Sequence, residues 1–144
     1  MSAAPERDED FLEAFENGTL PEGSFHHREH VRLAWLYLRR LAPAAALARF
    51  SEGLRRFAAS IGKNGLYHET ITWAYLLLIR ERMGRGGDDE TWTEFARRNP
   101  DLLAWKPSIL DRYYRDETLR SDLARRVFLL PDRLAAASPF EPGG

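Results

Sequence analysis

"LYHETITWAYLLLIRERM", residues 66–83, decides how this chain folds. Thr70, Ile71, Thr72, Trp73 and Tyr75 are residue types that suit a strand. The run from His68 to Met83 is too long for an ordinary strand and fits a helix. Its middle is apolar nearly all round, so the helix is expected to be central and buried. His68 stands at its start, with Thr72, Tyr75, Ile79 and Met83 below it on one face.

Working outward, the neighbouring segments also read as helices. Leu47, Phe50, Leu54, Phe57 and Ile61 recur at spacings of three and four, an amphipathic stripe that follows Pro43 and ends at Gly62. Before it, Ser24 is the expected N-cap of a helix running to about Leu41. An acidic start at Asp8, Glu9 and Asp10 and a stop at Gly18 bound a first helix over Asp8 to Asn17. Shorter helices are expected over Glu90 to Arg98 and Ser121 to Phe128, with Ser108 capping "ILDRYY" between them. The expected fold is all-α: a single-domain bundle of five to seven helices over residues 1–144, with flexible ends at 1–7 and 136–144.

Composition narrows the function classes. A chain of 144 residues buries enough surface to stand without disulfides or a structural metal. It has no cysteine, which removes thiolate nucleophiles and thiolate metal sites. The net charge of −1 gives no bulk field for nucleic acid or an anionic membrane. The N-terminal "MSAAPERDEDF" has no apolar core, so a cytoplasmic protein without a secretory leader is expected. No P-loop, dinucleotide fingerprint, G-x-S-x-G or H-E-x-x-H motif is present.

The histidines carry the functional signal. Three of the chain's four lie in "SFHHREHVRLAWLYL", residues 24–38. His27 and His30 share a face with Val31, Ala34, Leu38 and Leu41, and His26 falls off it. His27, His30 and His68 therefore all sit at helix beginnings beside an apolar stripe. If those beginnings share one end of the bundle, three imidazoles converge. One expectation is a divalent metal (zinc, iron or manganese) held by His27, His30 and His68, with an open position for water. Glu69 would then handle the proton. A second is a metal-free acid–base or ligand pocket, with His27 or His30 as base and Glu69 or an Asp orienting it. Tyr67, Tyr113, Tyr114, Arg112, Arg115 and Arg125 are the candidates to anchor an anionic or aromatic ligand there. Thr72 joins them as the next residue on His68's face. A third is a non-enzymatic helical module that binds a small molecule or a protein through its tryptophans.

The combination "FHHREHVRLAW", "YHETITW" and "ARRVFLLPD" resembles a family of small uncharacterised bacterial proteins. That resemblance implies carrying over His27, His30, His68, Glu69 and Thr70, and brings no reaction with it. A looser similarity is to the HD-domain metal-dependent phosphohydrolases. It implies an all-α fold and an order of His27 or His30, then His68-Glu69, then Asp111 or Asp132. Glu69 stands where that family's doublet has Asp.

Overall fold

A computed structural model describes residues 7–133. The flexible ends expected at 1–7 and 136–144 lie outside the described residues, Arg7 apart. Within them are α1 (Asp8–Asn17), α2 (His27–Arg40), α3 (Pro43–Ser60), α4 (Glu69–Gly84), α5 (Trp92–Arg98), α6 (Pro100–Leu103), α7 (Asp116–Leu119) and α8 (Asp122–Arg126). Single 3-10 turns occupy Glu22–Ser24, Asn64–Leu66 and Ile109–Arg112. No strand occurs among the described residues. The all-α bundle is as expected, and its helices share one core. No helix of the described residues is long and apolar enough to cross a membrane.

The deciding stretch is helical, as α4. His68 is its N-cap: the imidazole Nδ1 accepts the Ile71 N–H at 3.1 Å. The helix is apolar all round because it is covered on several sides. It packs on α2 and α3, and on α8 opposite. Leu76 and Ile79 are fully buried in the core, while Trp73 stacks on Phe128 at 4.9 Å between ring centres. Strand propensity in its first turn yields to this packing.

α1 closes over α2 and α3 through Phe15. A Cβ at Gly53 would meet the Phe15 ring at 2.3 Å, so only glycine lets that ring lie on α3. Tyr37 on α2 and Arg49 on α3 both donate to Glu16 Oε2, at 2.9 and 2.8 Å. On the other side, Arg82 holds both carboxylate oxygens of Asp101, at 3.0 and 2.9 Å, and Asn99 Oδ1 at 2.7 Å.

Two boundaries differ from the sequence reading. α2 starts at His27 with His26 as cap, because Glu29 reaches back to accept the His26 N–H at 2.8 Å. Ser24 belongs to the preceding turn, where its hydroxyl donates to the Pro21 carbonyl at 2.9 Å. At the other end, α8 stops at Arg126 and not at Phe128. Thr70, fully buried on α4, takes the next backbone groups for itself. Its hydroxyl donates to Val127 O at 2.8 Å and accepts the Leu129 N–H at 3.1 Å. Tyr114 adds a bond to Leu129 O at 2.8 Å. An extended strap thus lies across α4.

Thr70, carried over by the resemblance as a site residue, here clamps the strap to α4. Thr70→Val leaves a donor and an acceptor unpaired and should cost about 1–3 kcal/mol. Thr70→Ser, which keeps the hydroxyl, should cost clearly less. Urea unfolding of the three proteins measures this; equal losses for Val and Ser would contradict the clamp.

Candidate functional site

Three stripes predicted from the sequence meet around one cavity of about 640 Å3. α2 contributes His27, His30, Val31 and Ala34. α3 contributes Phe50, Leu54, Phe57 and Ile61. α4 contributes His68, Thr72, Tyr75 and Ile79. All four histidines of the chain touch this space. The first turns of α2 and α4 both border this cavity, His27 and His30 from one and His68 from the other.

The mouth is bordered by Trp105, half exposed, and by Glu22 and Lys63. Glu22 and Lys63 stand 3.4 Å apart as an ion pair, both largely exposed. The rest of the wall is mostly aliphatic and aromatic. Such a concave, largely apolar space with a few convergent polar groups is the usual form of a small-molecule site.

Each imidazole has a distinct environment. His27 donates from Nε2 to the Leu102 carbonyl at 2.9 Å, which fixes its tautomer and leaves Nδ1 a bare acceptor. Its ring lies edge-on to Tyr75 at 4.8 Å and against Trp105 at 5.0 Å. Burial pulls its pKa below the ordinary imidazole value, and the Leu102 carbonyl opposes that. His30 stacks on Phe25 at 4.1 Å, and neither of its nitrogens has a hydrogen-bond partner among the described residues. Burial, with His27 and His26 adding to it, lowers its pKa to about 4. His30 nevertheless keeps some accessible surface, and as a residue of the cavity wall it has that space beside it.

His68 is different. Its Nδ1 caps α4 and its Nε2 donates to the Leu119 carbonyl at 2.7 Å. Both ring nitrogens are engaged, so it cannot ligate a metal without giving up two hydrogen bonds. His27 and His30 then remain, with no third donor beside them. Among the described residues no group of three or more His, Asp or Glu side chains is placed to hold a metal ion. The donor set thus does not fit the three-histidine centre expected from the sequence.

Glu69 also has another task. It accepts from the Tyr67 hydroxyl at 2.5 Å and from Arg55 at 3.1 Å, and is not part of the cavity wall. Arg55 lies over the Tyr67 ring at 4.6 Å. Burial, then the Glu69 contact, pushes the Tyr67 hydroxyl up to about 12. Tyr67 lines the cavity by its ring. Thr72 also lines it, though its hydroxyl donates to His68 O at 2.8 Å.

The remaining candidates lie elsewhere. Arg125 donates to the Gly65 carbonyl. Tyr113 is a strap contact, its carbonyl accepting the Asp132 and Arg133 N–H groups at 3.1 and 2.9 Å. Asp132 accepts from the Arg115 N–H at 2.9 Å and from the Thr118 hydroxyl. Asp111 borders a separate hollow with Asp101 and Arg112. The order of residues implied by the phosphohydrolase similarity therefore does not assemble at one point. Sequence reasoning missed Phe25 and Trp105 as walls; both flank the histidine helix or sit in irregular chain, where periodicity gives no signal.

No family model, curated protein or solved structure matches the chain. The site is read from its own geometry.

Proposed function

We propose that the protein binds a small, largely apolar molecule in the cavity between α2, α3 and α4, oriented by His27 and His30. One observation carries this: the mostly apolar wall of a cavity of about 640 Å3 includes two imidazoles with unused nitrogens among the described residues. A ligand that pairs those nitrogens replaces their contact with water by a hydrogen bond in a largely apolar space. Both rings are neutral near pH 7, so the inner wall carries no charge of its own.

Proton-transfer catalysis at the same place is a second reading. It is favoured by the fixed tautomer of His27, whose bare Nδ1 is set to accept a proton. Against it, His30 with a pKa of about 4 is a weak base. Glu69, the expected proton carrier, is held by Arg55 and Tyr67. Metal-dependent hydrolysis has less support still, since His68 would have to leave both its partners.

A thermal-shift screen of small aromatic and aliphatic molecules tests the binding reading. Ligands at a hundred times their Kd should stabilise the fold by about 2.7 kcal/mol. Ala58→Phe places a ring in the cavity and should abolish the shifts while the protein stays folded by circular dichroism. Shifts that persist in that variant, or none in the wild type, would overturn it.

A further inference from the structure

The polar groups of this cavity specify more than a greasy ligand. His27 can only accept at Nδ1, because Leu102 holds the proton on Nε2. His30 is one helical turn away, so the two side chains begin about 5–6 Å apart. Its tautomer is not fixed by a partner among the described residues, and a neutral imidazole offers one donor and one acceptor. A single hydroxyl between them satisfies both: its O–H donates to His27 Nδ1 and its oxygen accepts from His30. An ether or ketone oxygen can use only His30. The walls add a shape preference. Phe25 and Phe57 meet edge-to-face at 4.7 Å, and Tyr75 and Trp105 flank His27. Flat rings pack well in such aromatic clefts.

Charge is disfavoured inside. Among the described residues the wall carries one carboxylate and one ammonium, Glu22 and Lys63, and these pair with each other. An anion carried past them would lose its hydration with no cation to replace it.

We infer that the ligand is an uncharged aromatic molecule bearing a hydroxyl, a phenol or aryl alcohol, whose O–H donates to His27 Nδ1. This rests on the binding reading above and names the chemical class that the same cavity selects.

Calorimetric titration of the full chain with three probes of one ring system tests it: 1-naphthol, 1-methoxynaphthalene and 1-naphthoate at pH 7.5. Naphthol should bind about tenfold tighter than its methyl ether, the worth of one well-made hydrogen bond. Naphthoate should be the weakest of the three. In His27→Phe, which keeps a ring against Tyr75, the ratio of naphthol to ether affinity should fall to about one. The wild-type comparison stands by itself if that variant does not fold. Equal affinities for naphthol and ether would overturn the inference and leave the cavity as an apolar site. Naphthoate binding tightest would overturn it in favour of anion recognition. If none of the three binds, the cavity reading fails together with it.

Discussion

Lowering the pH from 7.5 to 5 should destabilise this protein, and His30→Leu should remove most of that loss. The imidazole of His30 has an ordinary pKa of 6.5 in the unfolded chain and about 4 in the folded protein. The unfolded state therefore takes up the proton first. Stability is complete above pH 6.5, falls as the pH drops through the window from 6.5 to 4, and levels off below it. His27 and His68 are shifted the same way by burial and steepen the fall. A full shift of this size is worth roughly 3 kcal/mol, and water entering the cavity screens part of it. About 1–2 kcal/mol should be lost by pH 5 on account of His30 alone. The groups facing it do not reverse the sign: His27 is shifted in the same direction, and Tyr67 and Tyr75 stay protonated. Asp101, lowered to about 2 by Arg82, acts later, its contribution being lost only below about pH 4. Urea midpoints at pH 7.5, 6 and 5 for wild type and His30→Leu measure the difference. Parallel curves for the two proteins would contradict a buried neutral His30.

The second large effect is structural where the sequence suggested chemistry. His68→Ala removes the cap of the central helix and leaves the Leu119 carbonyl without its donor. A lost N-cap costs about 1 kcal/mol and an unpaired, part-buried carbonyl about 1–3, so roughly 2–3 kcal/mol together is expected. His68→Asn retains an acceptor for the Ile71 N–H and should fall between. A chelator should leave the wild-type melting temperature where it is. If chelator lowers that temperature and zinc restores it, with His68→Ala insensitive to both, then His68 is a ligand and the capping account is wrong.

The helical periodicity was legible because it reflects burial directly. The stripe from Phe50 to Ile61, the face from His27 to Ala34 and the face from His68 to Ile79 are the three walls of the observed cavity. Whether the imidazoles would meet was not legible, because placement at helix starts leaves open how the helices pack. What each nitrogen does was not legible. It depends on carbonyls at Leu102 and Leu119, 75 and 51 residues away, which come from the four-residue helices α6 and α7, too short to leave a periodic signature. The partners of Glu69 were not legible for a similar reason. Its neighbours Tyr67 and Arg55 form an ion-pair cluster whose geometry no helical wheel contains. Thr70 and Asp132 looked like site residues, yet they pin the chain after α8, a task visible only once the strap is in place.

Nitrogen-15 NMR of the four imidazoles at pH 7.5, followed through titration with 1-naphthol and separately with zinc, reaches the central claim most directly. The account predicts neutral rings at His27, His30 and His68, with the proton on Nε2 of His27 and His68. Naphthol should then shift the His27 Nδ1 and His30 resonances and leave those of His68 in place. A single equivalent of zinc that moves His27, His30 and His68 together would contradict it, and would restore the three-histidine metal centre in its stead.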